Sequence, residues 1–126
     1  VSVIYTVATT SLDEAGDFVG LWPVPSGKKW QKIVFTCADL DSGGTALDLD
    51  IIQRVIDKDG NITDTILFNA GSAFSAAQTG VEVYPTASGG DQFPPSATGV
   101  VLIGLYCNVP ATTAASGVFK GTITYQ

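Results

Sequence analysis

The chain has 126 residues, the usual size of one domain, and 45% of them are hydrophobic, so it can bury a substantial core and is not expected to be disordered. Twelve acidic residues against six basic residues give a net charge of −6. A protein that neutralises phosphates needs many cations on one face, so this balance excludes nucleic acid as a partner. No apolar run approaches the length that spans a bilayer, and we expect a soluble chain with no membrane partner.

Strand patterns follow one another along the chain, with turn residues between them. They predict strands at residues 1–7, 18–24, 30–37, 47–56, 62–68, 81–86, 100–109 and 118–125. The Ala- and Ser-rich stretch 69–80 is a weak candidate for a turn or two of helix. About eight strands at this spacing predict an all-β fold, a single antiparallel β-sandwich of jelly-roll-like type with little helix. We divide it into an N-terminal strand or arm, residues 1–17, and a β-sandwich domain, residues 18–126.

Two segments carry more apolar residues than one buried face requires. Strand 100–109 is apolar on both faces, and Ile52 and Ile56 lie on the otherwise polar face of their strand. Such faces are covered either by the chain itself or by a partner, and both possibilities stay open here. Val3 and Tyr5 belong to the N-terminal arm, which either adds a strand to the sheet edge of a neighbour or forms a strand of its own sandwich.

The side chains of the common catalytic sites are missing, and we predict that the chain is not an enzyme. It has no histidine, which excludes Ser-His-Asp and Cys-His catalysis and the usual zinc sites. Asp48 and Asp50 share one face of a strand, which is more typical of a solvated surface than of a glycosidase pair.

A calcium-like set consists of Asp57, Asp59, Asn61 and Asp64. Its glycine is misplaced for an EF-hand, so a plain hairpin turn is favoured and no metal or cofactor is expected.

Aromatic residues are the remaining candidates for a binding surface. The set that could form a sugar platform or a protein contact is Trp22, Trp30, Tyr84, Phe93 and Tyr106. In β-domains such residues commonly lie in the core, and Phe93, in a Gly- and Pro-rich loop, is the one most expected to be exposed. Our candidates for partner binding are Val3, Tyr5, Ile52, Ile56, Phe93 and Tyr106.

The order of features resembles that of small bacteriophage head-decoration (cement) proteins. The resemblance rests on residues 35–81 (FTCADLDSGGTALDLDIIQRVIDKDGNITDTILFNAGSAFSAAQTGV) and 98–126 (TGVVLIGLYCNVPATTAASGVFKGTITYQ). It implies a virion protein, made in the host cytoplasm, that lies on the exterior of the capsid. It further implies that the protein bridges subunits of the major capsid protein, with a homo-oligomer, a trimer in particular, as the expected assembly. No functional residue carries over, because these contacts are not set by a motif.

Other readings of the same β-sandwich stay open at this point. The chain could be another virion component such as a head fibre, neck or tail protein. It could also be a secreted pilin- or adhesin-like subunit, or a carbohydrate-binding module. A disulfide between Cys37 and Cys107 would favour the pilin-like reading, whereas two buried free thiols would not.

Overall fold

The computed structural model describes residues 1–25, 28, 30–44, 46–69, 74, 76–84 and 99–125. Eight strands form within these residues, each carrying the alternation or the continuous apolar pattern of a strand. They are β1 (Ser2–Val7), β2 (Phe18–Pro23), β3 (Trp30–Cys37), β4 (Asp48–Ile56), β5 (Ile62–Asn69), β6 (Gln78–Val83), β7 (Val100–Val109) and β8 (Gly117–Tyr125).

The strands form two four-stranded antiparallel sheets. Sheet I has the order β1-β8-β3-β6 and sheet II the order β2-β7-β4-β5. The first strand therefore pairs with the eighth, the second with the seventh, the third with the sixth, and the fourth with the fifth. The β3–β8 and β4–β7 ladders join these four pairs into the two sheets. This order is that of a jelly roll, and it confirms the predicted all-β sandwich.

The core lies between the two sheets and is centred on aromatic rings. Phe35 stacks on Phe119 and Phe74, with ring centroids 5.2 and 5.6 Å apart, and meets Phe68 edge to face at 6.0 Å. Polar Gln53 also faces inward, since it is buried and its Oε1 accepts a hydrogen bond from Nε1 of Trp30 across the two sheets at 3.3 Å. That bond satisfies two polar groups that would otherwise be costly to bury.

The structure differs from the sequence prediction between β5 and β6. Asn69 ends β5 and Gln78 begins β6, so both ends of the predicted helical stretch 69–80 are strand. Residues 70–73 and 75 lie outside the described part of the chain. The predicted strand 81–86 begins three residues earlier, and its stated end also lies outside the described residues. Among the residues that the structure describes, no helix has the length and apolar composition that crossing a membrane requires.

The N-terminal strand belongs to the sandwich of its own chain. All six residues of β1 pair with β8, from Ser2 opposite Thr122 to Val7 opposite Gly117. The N-terminal ammonium of Val1 adds a hydrogen bond to the carbonyl oxygen of Ile123 at 2.8 Å. Of the two alternatives for this segment, the strand within its own sheet is therefore the one that the structure contains.

A buried carboxylate ties the β3–β4 loop to the β7–β8 loop. The two oxygens of Asp41 accept backbone N–H groups of Gly43 and Thr113 (both 3.1 Å) and of Leu47 and Thr112 (3.3 and 3.1 Å). Burial opposes ionisation of this group, but the four backbone hydrogen bonds outweigh it, and the pKa of Asp41 is lowered from 3.8.

Replacing this carboxylate by an amide (Asp41→Asn) should therefore lower the melting temperature by several degrees at neutral pH, because the amide nitrogen cannot accept the N–H groups. Since the folded-state pKa is depressed, the stabilisation is fully present well above pH 3.8 and is lost as the pH falls below 3.8 through the folded-state pKa. Thermal unfolding of both proteins across this range checks it. The difference between them should shrink in acid, and the same change at exposed Asp13 should have little effect at any pH. A difference that is constant with pH would contradict the account.

Candidate interaction surface

The outer face of sheet I is polar. In-register neighbours place hydroxyl and charged side chains across it, among them Ser2, Thr36, Lys120 and Thr122. The hydrophobic residues on this face lie beside polar neighbours: Ile4, which is 73% exposed, beside Lys120; Val118, which is 39% exposed, beside Thr6; and the partly buried Val34 beside Thr122. A scatter of threonine and lysine is typical of a sheet that faces water.

The outer face of sheet II is largely apolar. Strand register arranges its side chains in four rows that run from β2 through β7 and β4 to β5. The rows are Phe18, Tyr106, Asp50, Asn69; then Gly20, Gly104, Ile52, Ile66; then Pro23, Leu102, Arg54, Asp64; then Val100, Ile56, Ile62. We call the hydrophobic members of these rows the apolar face: Phe18, Ile52, Ile56, Ile62, Ile66, Val100, Leu102 and Tyr106.

The apolar face has exposed side chains on the edge strand β5 and at the start of β7. Ile62 and Ile66, on the same side of β5 with Asp64 between them, are 55% and 52% exposed, and Val100 at the start of β7 is 53% exposed. Ile52 is only 2% exposed yet is not a member of the core cluster between the sheets. The outer face therefore buries apolar surface of its own, as one side of a second, incomplete core would.

Two glycines shape the middle of the apolar face. Gly20 and Gly104 lie opposite one another on β2 and β7, and a Cβ on Gly104 would overlap the carbonyl oxygen of Val19. The close approach of these two strands thus requires glycine at position 104. A Cβ on Gly20 would lie 3.6 Å from the ring of Phe18 and 3.7 Å from the side chain of Leu102, at ordinary van der Waals distance from both.

The cation on this face is neutralised within the chain. Arg54 donates from Nε and Nη2 to the two carboxylate oxygens of Asp64, at 2.9 and 3.0 Å, and its guanidinium lies 4.4 Å from the ring centroid of Phe18. The hydrogen bonds to Asp64 raise the pKa of Arg54 further above its ordinary value. Because the bidentate pair cancels its own charge, any net charge on the face comes from its other carboxylates.

A depression of about 230 Å³ lies beside this pair on the same face. The residues that line it are Asp50, Ile52, Asp64, Ile66, Tyr106 and Asn108. Asp50 is 4% exposed; its Oδ2 accepts a hydrogen bond from Nδ2 of Asn108 at 2.8 Å, while its Oδ1 has no hydrogen-bond partner. The alternation of β4 predicted a solvated Asp50, and this was wrong because Asp50 is covered where it lies between Tyr106 of β7 and Ile52 of its own strand.

The structure brings together three of the six predicted partner-binding residues. Ile52, Ile56 and Tyr106 lie on the apolar face. Val3 and Tyr5 lie on the inward side of β1 and pack against the core, so they are separate from that surface. Phe93 lies outside the described residues.

Sequence reasoning missed the edge of this surface. Ile62 and Ile66 were assigned to a strand but not to a binding face. Two isoleucines on one face of a strand, on either side of Asp64, are nevertheless a pattern in the sequence that indicates an apolar outer face. Nothing in the local sequence distinguished Asp50 from Asp48, since their difference in burial depends on pairing with β7.

The two tryptophans and the calcium-like turn have structural roles, whereas Tyr84 is 53% exposed and donates a hydrogen bond to Glu82. Trp22 and Trp30 are each 1% exposed, so neither is available as a sugar platform. In the Asp57 turn, Oδ1 accepts the backbone N–H groups of Asp59 and Asn61, at 2.8 and 2.9 Å, which is the bonding of a plain turn. Within the described residues, no three acidic or cysteine side chains gather as a metal-ion site would require.

The two cysteines are free and buried on opposite sheets. Burial raises the pKa of Cys37 to about 12 and that of Cys107 to about 11. Both thiols therefore stay protonated at neutral pH and are poor nucleophiles.

No model of a known protein family matches the chain, and no curated protein matches it. Two solved structures are similar along 98% of it. One is the capsid of Ralstonia phage GP4, with a TM-score of 0.62 and 23% identity over 81% of that chain. The other is the cyanophage Pam1 capsid asymmetric unit, with a TM-score of 0.57 and 20% identity over 79% of that chain. At these identities the likeness shows a shared fold.

Proposed function

We propose that the chain is a structural protein of a phage virion that binds the outside of the capsid and stabilises it by bridging subunits of the major capsid protein. The observation that carries this proposal is the fold shared along 98% of the chain with two phage capsid structures. The order of sequence features supports the same class of protein, and jelly rolls are common building blocks of viral shells. The role is mechanical and requires no catalytic step.

The apolar face supplies the contact surface for this role. Exposed isoleucines on β5 continue into the half-buried side chains of β4 and β7, and contiguous apolar surface of this kind is typical of protein interfaces. With this face against the capsid, the polar outer face of sheet I would point to solvent. The two outer faces of the sandwich then have the chemistry that each environment requires.

Stabilisation follows from spanning several subunits with one rigid body. Separating the subunits then requires breaking the contacts of the bound chain on one side of the junction as well. Every bound copy therefore stabilises the assembled shell. A trimer is the favoured assembly within this proposal, because it would place three copies of the apolar face around a junction of capsid subunits.

The test uses heads of the encoding phage that lack this chain. We expect the purified protein to co-sediment with expanded heads at a copy number comparable to that of the major capsid protein, and to raise the temperature at which packaged heads release DNA. A few copies confined to one vertex would instead indicate a neck or tail component. Equal DNA-release temperatures with and without bound protein would refute the stabilising role.

A further inference from the structure

The depression on the apolar face contains a carboxylate that the chain does not neutralise. Asp50 is 96% buried, one oxygen is held by Asn108, and the other has no hydrogen-bond partner and is shielded from water. Burying an ionised carboxylate without pairing it is costly. Arg54, which lies two rows away on the same face, already donates to both oxygens of Asp64. The unbound chain bears this cost, and a donor from another molecule that formed a hydrogen bond with the free oxygen would remove it.

We infer that the depression receives a lysine or arginine side chain from a different protein, which pairs with Asp50. The terminal torsion of an aspartate is broad, so a small rotation brings its free oxygen to an entering donor. The depression is smaller than the 300 to 1,000 Å³ or so of typical small-molecule pockets, and one long side chain suits it better than a cofactor does.

The surroundings of the depression favour a protein as the source of this cation. Ile66, which is 52% exposed, forms part of its wall; this side chain would stay exposed around a free ion but would be covered by an apolar segment that carries the cation. Pairing of a buried charge at the centre of an apolar contact is also how interfaces gain specificity.

A second copy of the chain fits less well. Among the described lysines, Lys32 pairs with Glu82 and Lys58 with Asp59, which leaves Lys28, in the loop between β2 and β3, and Lys120, on the outer face of sheet I, as candidate donors. Contact between that face and the apolar face of another copy would be head to tail, and such contacts generate rings or open filaments. Because the chain is proposed to act on a phage head, the cation would come from a head protein, and this step rests on the proposed function.

The test compares head binding by Asp50→Asn with that by the wild-type chain. The asparagine can keep the bond to Asn108 through its own oxygen and would then turn its NH₂ donors toward the depression, where they would oppose a cation. We expect affinity for heads to fall at least about tenfold, as for truncation of one member of a buried charge pair. We expect the melting temperature of the free protein to stay the same or rise, because an unpaired charge has been removed. A merely structural role for Asp50 predicts the opposite change in stability.

Asp48→Asn is the matched control, since Asp48 is on the same face of the same strand and also accepts a hydrogen bond from Nδ2 of Asn108, at 3.2 Å, but does not line the depression. Its affinity should stay within about twofold of wild type, as for a charge at the edge of an interface. If Asp50→Asn binds heads as tightly as wild type, the inference fails and the proposed function stands. If the wild-type chain does not bind heads, both fail. A cryo-EM map of decorated heads should show a lysine or arginine of a head protein beside Asp50, and water or a neighbouring copy there would overturn the inference.

Discussion

A chain carrying Ile66→Asp is expected to fold and to bind phage heads about 30-fold more weakly than wild type, or worse. Ile66 is 52% exposed at the edge of the apolar face, where it pairs with Ile52 and lines the depression. A carboxylate at this position would be desolvated against the partner and would lie near Asp50 and Asp64. Replacing a residue that is important for binding at an interface typically costs about 2 kcal/mol of binding free energy, which corresponds to an affinity about 30-fold lower. Co-sedimentation of the variant with heads, over a range of protein concentrations, measures it.

Ile4→Asp is the matched control for this experiment. Ile4 is also an exposed isoleucine on the outward side of an edge strand, but that strand belongs to sheet I. Each substitution should lower the free energy of unfolding by a similar amount, about 1 kcal/mol or less, because aspartate has a lower strand propensity than isoleucine. Only Ile66→Asp should weaken head binding. Equal losses from both substitutions would mean that the apolar face has no special part in the contact.

Phe35→Ala should destabilise the fold by about 3–5 kcal/mol, a large share of the total stability of a domain of this size. The ring is 1% exposed and touches three other phenylalanine rings, which come from both sheets and from the segment between β5 and β6. Its removal leaves a cavity at the point where these elements meet, and the rigid sheets can collapse around it only in part. Urea unfolding followed by tryptophan fluorescence measures the effect, because Trp22 and Trp30 are both buried.

The control for Phe35→Ala is Val34→Ala, the adjacent residue on the outer face of the same strand. Val34 is only partly buried, so its truncation should cost about 1 kcal/mol or less. If the two variants unfold at similar urea concentrations, the aromatic cluster does not have the central role assigned to it.

Local patterns predicted the strands well, because alternation reflects burial on one face. The predicted strands at 30–37 and 100–109 coincide with β3 and β7. The pattern missed the start of β6, whose first residues, Gln78 and Thr79, are polar and lie at a sheet edge. Edge strands bury less surface, so the alternation of apolar and polar residues is weaker in their sequence.

Pairing between distant strands was beyond a single sequence, and the candidate site depends on it. The two-sided apolar pattern of 100–109 predicted that its second face is covered by the chain itself or by a partner, and covering by a partner stays a prediction. Which residues share that face follows from register, for example Ile52 opposite Gly104 and Ile66. The burial of Asp50 follows from the same register, whereas in the sequence it is one of two similar aspartates on an alternating strand.

The orientation of the chain on the capsid tests the central claim most directly. A cryo-EM reconstruction of heads incubated with the purified protein should show the apolar face of sheet II against the major capsid protein and the polar face of sheet I toward solvent. Each bound copy or trimer should contact more than one capsid subunit. A reconstruction with no added density on the heads, or with the chain attached through the outer face of sheet I, would contradict the account.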